Sequence, residues 1–205
     1  MSVLYGVGID DLPYKKKERD KDGKTTWECP YYSRWRGMIR RCYSDIALTR
    51  NPKYSGCTVC DEWLVFSNFK SWMETQDWEG KHLDKDILFV NNKLYSQHTC
   101  VWVEPIVNTF VCGEDKADNT SGYTGVTYQK DCGKWKAQCK NTFGITPYQK
   151  RGYLGLYLSK EEAYFAWKAR KYELACKLAE SKYVTDDRVA EALRNRYKQE
   201  ETAHD

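Results

Sequence analysis

No apolar run in this chain approaches the roughly 20 residues that a membrane-spanning helix needs, and the stretch MSVLYGVGIDDLPYKKK lacks the apolar core of a secretory signal. A soluble, cytoplasmic protein with no membrane contact is therefore expected. Self-similarity at the roughly 20–50-residue periods of solenoids and propellers is missing, which excludes repeat architectures. Neither a phosphate-cradling glycine loop nor a His-Glu-x-x-His pair occurs, so P-loop and zincin chemistry have no signature here. Close cysteine pairs are nearly absent too. Of 9 cysteines only Cys57 and Cys60 have metal-ligand spacing, with Cys29, Cys42, Cys100 and Cys112 as the residues that could complete a tetrahedral zinc site. Because a second close pair is missing, buried reduced thiols are the default reading and structural zinc the lesser alternative.

Aromatic residues are plentiful: 8 Trp and 16 Tyr in 205 residues exclude a disordered chain despite 30% charged residues. The length suits two small domains, each with its own core. A formal charge of +4 implies mild attraction to a polyanion, so clustering of the charge matters more than its total.

The most interpretable stretch is 121–180. Val126-Thr127-Tyr128 and Trp135 to Cys139 are β-prone runs joined by the turn residues Asp131-Cys132-Gly133, and Tyr153 to Leu158 is a third such run. Ser159 stands three residues before Glu162, a capping-box pattern that starts a helix over about 160–180. Ala163, Ala166, Trp167, Leu174 and Leu178 form one apolar stripe on it, and Phe165, Ala169, Tyr172 and Cys176 a second, nearly opposite. A three-stranded sheet should cover the first stripe, and a charged helix within 186–205, carrying Val189, Leu193 and Tyr197, the second.

Tyr123 with Gly125-Val126, Gly133-Lys134-Trp135-Lys136-Ala137, Tyr153-Leu154-Gly155 and the helix start Ser159 to Ala166 resemble, in order, the motif pieces of the plant ethylene-response-factor (APETALA-two type) DNA-binding domain. That resemblance implies a three-stranded antiparallel sheet that enters the major groove, braced by a helix. The family's base-reading arginines are replaced by Thr124, Thr127 and Gln129, so its target sequence does not carry over. Lys130, Lys134, Trp135, Lys136 and Gln138 are the further candidate contacts.

Earlier in the chain, residues 1–26 hold the charge run Lys15 to Lys24, either a basic arm or a solvated hairpin. A helix from Ser33 buries Trp35, Met38, Ile39, Cys42 and Tyr43, leaving Arg34, Arg36, Arg40 and Arg41 as candidate phosphate contacts. A second helix over about 61–75 carries Trp63, Phe66, Phe69, Trp72 and Met73 as core. A strand at His82-Leu83-Asp84, a loop through Asn91-Asn92-Lys93 and a short helix at Asn108 come next, with a polar linker expected at 113–120.

These last segments resemble divergent phage His-Asn-His (HNH) nucleases, in which such a unit precedes an ethylene-response-factor-type module. The resemblance implies a degenerate ββα domain at 27–112, with Asp84 and Asn108 holding Mg2+ or a similar divalent ion. Lys85 stands where the family has its catalytic histidine, and Thr99 near its middle asparagine; an exposed lysine stays protonated unless burial lowers its pKa, which leaves Lys85 phosphate binding as the other role. His82 and His98 are the candidate displaced bases, or ordinary surface histidines. The reading is an α+β, double-stranded DNA-binding protein of the phage homing-endonuclease type, resident in host cytoplasm if phage-encoded. Two standings stay open: a metal-dependent endonuclease, or an inactive DNA-binding regulator or anti-defence decoy that acts on DNA or a host protein. The oligomeric state is not legible.

Overall fold

Two short antiparallel hairpins begin the chain: β1 (Ser2–Leu4) with β2 (Gly8–Asp10), and β3 (Lys17–Arg19) with β4 (Thr25–Glu28). The computed structural model describes residues 2–112, 121–141 and 152–198. Contacts divide the chain into Met1–Trp102 and Val103–Asp205. Helices are combined with small, mainly antiparallel sheets, so the class is α+β as expected. The Lys15–Lys24 run is a hairpin and not an arm, because Asp20 Oδ1 accepts the amides of Asp22 and Lys24 at 3.0 and 2.9 Å and closes the turn.

In the first unit, α1 (Pro30–Tyr43) starts ahead of the expected Ser33, since proline at a first helical position has its φ preset and no amide to leave unsatisfied. Ser44 caps α2 (Asp45–Arg50), and a short turn at Pro52–Tyr54 leads to β5 (Thr58–Val59). The helix expected over 61–75 is two: α3 (Asp61–Leu64) and α4 (Phe66–Glu74). Val65 separates them in an extended conformation because its backbone bridges Ile9 in parallel.

Trp35, Met38, Ile39, Trp63, Phe66, Phe69 and Met73 then form the buried centre, as their helical spacing predicts. The Trp35 Nε1 donates to the Trp63 carbonyl at 2.7 Å, and the Trp63 ring lies 4.3 Å from that of Trp72. β6 (His82–Asp84) pairs with β8 (Val101–Val103), while β7 (Leu94–Tyr95) pairs in parallel with β5.

In the second unit, α5 (Pro105–Cys112) packs with the later helices, although its place in the sequence suggests that it closes the first domain. The reason is specific. The Phe110 carbonyl accepts the Lys171 ammonium at 2.6 Å, and the Phe110 ring meets Tyr197 edge-on at 5.9 Å. The expected linker at 113–120 lies outside the described residues.

β9 (Val126–Gln129), β10 (Lys134–Gln138) and β11 (Tyr153–Tyr157) form an antiparallel sheet in the order β11-β10-β9. Behind it runs α6 (Lys160–Ala179), whose capping box has both bonds: Ser159 Oγ accepts the Glu162 amide at 3.1 Å, and Glu162 Oε2 the Ser159 amide at 3.3 Å. Asp186 caps α7 (Asp187–Arg196); residues 199–205 of the expected tail helix lie outside the described residues.

Tyr197, just past α7, reaches Trp167 and lies 5.3 Å from the Lys171 ammonium, on the side of the first stripe. Phe165 and Ala169 of the second stripe are exposed instead of covered. Among the described residues no helix is long and apolar enough to cross a membrane.

Candidate functional site

Register decides which side chains the sheet presents. Thr127 lies opposite Lys136, Gln129 opposite Lys134, Lys136 opposite Leu156 and Gln138 opposite Tyr153. Cross-strand partners share a face and neighbours along a strand alternate, so Thr127, Gln129, Lys134, Lys136, Gln138, Tyr153 and Leu156 occupy one side. Val126 and Ala137 are buried on the other side with Ala163 of α6. Trp135, paired with Tyr128 and Tyr157, shares that inner side and packs half-buried against the core, apart from the outward candidates.

The irregularity between Ala137 and Gln138 keeps Tyr153 outward and lets Leu154 pack inward. Lys130 is exposed in the hairpin turn, and Thr124 is half-buried just before β9. The three strands contain no Asp or Glu, and Asp131 is the one acid of the β9–β10 hairpin against Lys130, Lys134 and Lys136. An outward face of hydroxyl, amide and ammonium groups results, with Tyr153 and Leu156 exposed on its β11 edge and a packed helix behind it.

The HNH-like stretch has a different character. Asp84 is buried, and its Oδ1 accepts the amides of Asp86 and Ile87, both at 2.7 Å, as a turn cap. Lys85 is buried as well, at 5% exposure, with its ammonium on Asp86 Oδ1 and the Asn92 carbonyl, each at 2.6 Å, and over the Tyr95 ring. Asn92 answers with its own amide on the Lys85 carbonyl at 2.9 Å.

His82, which the period of a strand puts on the side of Asp84, is exposed while Asp84 is buried, because the carboxylate curls onto its own turn. His98 is exposed, 3.3 Å from the Gln97 amide nitrogen. Thr99 donates to the Leu94 carbonyl at 2.7 Å. Asn108 belongs to the second unit, where its Oδ1 accepts the Cys112 thiol at 3.1 Å.

A hard divalent cation takes about six oxygen ligands. The first unit's share of the expected set is one carboxylate, whose Oδ1 already accepts two amides, beside a buried lysine, which falls short of such a ligand set. Among the described residues no three His, Cys, Asp or Glu side chains cluster as a metal-holding group. All nine cysteines are free thiols, and Cys60 is half-buried while Cys57 is buried. Burial pushes the Cys42 and Cys100 thiols up to about 12, and raises Cys60, so none of the three offers a ready thiolate near neutral pH.

Of the arginines expected on the solvent side of α1, Arg34 and Arg40 are exposed. Arg36 pairs with Glu28 at 3.2 Å, and Arg41 turns onto Tyr54 and Tyr95, with its Nε donating to the Tyr95 hydroxyl at 3.4 Å. Two of the four expected cations are therefore engaged within the fold. Asn92 and Tyr95 are the residues that sequence reasoning missed; the doubled Asn91-Asn92 marked a turn but not its cross-bracing role.

Substituting Asp84→Ala removes the acceptor of two amides in a buried turn. The first unit should lose about 1–3 kcal/mol, read as a lower urea midpoint with an unchanged slope. An unchanged midpoint would mean that the carboxylate does not hold this turn.

No family model matches the chain, and neither a curated protein nor a solved structure matches it.

Proposed function

We propose that the chain binds double-stranded DNA by laying the outer face of the β9–β11 sheet in a groove. The observation that carries this reading is the register, which gathers Thr127, Gln129, Lys134, Lys136 and Gln138 on one acid-free face. The major groove is about 12 Å wide and admits a β-ribbon. Lysines on such a face suit phosphates and position the protein, whereas amide and hydroxyl groups suit base edges. The resemblance to ethylene-response-factor-type modules points the same way, with Trp135 serving the core.

Of the two standings that the HNH resemblance leaves open, the engagement of Asp84 and Lys85 favours a binder that does not cut. Lys85 is buried with its side-chain nitrogen on Asp86 and the Asn92 carbonyl, away from any phosphate, and Asp84 Oδ1 is occupied with two amides of its own turn.

Fluorescence anisotropy with a labelled mixed-sequence duplex tests the interface. The pair Lys134→Ala/Lys136→Ala should weaken binding and flatten the slope of log affinity against log salt by roughly 1.8, about 0.9 for each phosphate contact. Wild-type affinity and slope in that variant would refute the sheet as the binding face. Incubating plasmid with Mg2+, Mn2+ or EDTA tests the standing. Retardation without cutting is expected for both wild type and Asp84→Ala, and metal-dependent cleavage abolished by that substitution would establish the nuclease instead.

A further inference from the structure

The loop between β6 and β7 is cross-braced and carries an apolar tip. Asp84 Oδ1 holds its start, and the Asn92 amide nitrogen donates to the Lys85 and Leu94 carbonyls at 2.9 and 2.6 Å. Asn92 Oδ1 takes the Leu94 amide at 3.1 Å, and the Lys85 ammonium holds the Asn92 carbonyl. A turn closes from the Phe89 carbonyl to the Asn92 amide at 3.1 Å, with Asn91 at φ 61° in the left-handed region that asparagine tolerates. At the summit Phe89 is 56% exposed and Val90 59%. Two large apolar side chains are thus held out into solvent by a buried lysine and an asparagine, where a loose loop would let them fold back onto the core.

The surroundings are mainly cationic, with Asp86, ion-paired to Lys85, the one acid within the β6–β7 loop. Residues 46–60 and 87–102 contain no Asp or Glu. The β5–β7 pairing sets these two segments side by side, and Lys93 Nζ ties them again through the Lys53 and Ser55 carbonyls, both at 3.1 Å. Arg50, at the end of α2, Lys53 and Lys93 are all exposed.

We propose that Phe89 and Val90 form a wedge that enters between base pairs of double-stranded DNA while Arg50, Lys53 and Lys93 hold the flanking phosphates. This second contact, on the first unit, rests on the DNA-binding reading above. The chemistry comes from the two observations together. A surface with a net excess of cations attracts a polyanion, and a short rigid apolar tip is what partial unstacking of one base step requires. Membrane anchoring needs a larger apolar area than two side chains supply, and has no use for a rigid tip.

The test uses the full chain and a mixed-sequence duplex with 2-aminopurine at spaced positions. Wild type should raise the 2-aminopurine fluorescence on binding. Phe89→Ser/Val90→Ser should abolish that rise and bind roughly tenfold more weakly, about 1.4 kcal/mol. Arg50→Ala/Lys53→Ala should keep the rise and flatten the salt slope by roughly 1.8. All four positions are exposed, so thermal melts of the variants should coincide with wild type.

If wild type binds and Lys134→Ala/Lys136→Ala weakens it, but the tip variant matches wild type in both readouts, this inference fails and the sheet reading stands. No duplex binding by wild type defeats both. Tip-dependent pelleting with anionic phospholipid vesicles, without a 2-aminopurine response, also overturns the wedge.

Discussion

Gly125→Ala should cost the second unit about 2–5 kcal/mol, combining left-handed strain of about 1–2 kcal/mol with overpacking of about 1–3 kcal/mol. Gly125 has φ +75°, and a Cβ built on it would lie 2.5 Å from Trp167 Nε1, closer still to Cδ1, and 2.6 Å from the Gln138 carbonyl oxygen. None of these neighbours has room to recede. The Gln138 amide is hydrogen-bonded to the Gly125 carbonyl at 2.8 Å, so the two backbones are tied. Trp167 is buried, stacked on Tyr164 at 5.7 Å and met by Tyr197 on another side.

Moving the β9 entry away from Trp167 would instead lift Val126 off Ala163 and separate sheet from helix. In near-ultraviolet circular dichroism the second unit should melt well over ten degrees lower, taking duplex affinity with it. A melt within a degree or two of wild type would show that the Gly125 approach is not a constraint.

Local patterns spoke clearly where local chemistry makes the structure. The capping box at Ser159 and Glu162, the hairpin turn at Asp131-Cys132-Gly133, the periodic aromatics of α1 and α4 and the three strands of the second unit are set by spacing, and the structure has them. Readings failed where a distant residue decides. Val65 looks helical in its own window and leaves the helix only because Ile9 bridges it.

Trp135 alternates correctly with Lys134 and Lys136, but alternation does not say which parity faces the helix; Ala137 and Val126, small and apolar on its side, decide that. Burial of Lys85 has no signal within Asp84-Lys85-Asp86, since half its anchorage is the carbonyl of Asn92. Arg36 and Arg41 read as free cations for the same reason, their partners Glu28, Tyr54 and Tyr95 being remote in sequence. The candidate interface was legible as a set of residues; its membership depended on tertiary partners.

Trp35→Ala should be the most damaging single change in the first unit. Its ring is fully buried, 5.2 Å from Phe66 and 5.8 Å from Tyr32, and Gly8 of β2 comes so near that a Cβ there would lie 3.2 Å from the indole. One side chain thus joins α1, the α3–α4 junction and the first hairpin. Truncation leaves a cavity worth about 3–5 kcal/mol, and strands the buried Trp63 carbonyl, which loses its donor, at about 1–3 kcal/mol more. Since a domain of this size holds about 5–15 kcal/mol in total, the first unit should be largely unfolded at physiological temperature.

Trp35→Phe separates the two contributions. It restores most of the ring but not the Nε1 donor, so it should lose about 1–3 kcal/mol and still fold. Scanning calorimetry should find the second unit's transition near its wild-type temperature in both variants, because its core of Val126, Ala137 and Ala163 is built without residues of the first. In Trp35→Ala, duplex binding through the sheet should then persist at reduced salt slope while the 2-aminopurine response disappears. Loss of both transitions together would mean that the units do not fold independently, and the assignment of separate contacts to each would have to be withdrawn.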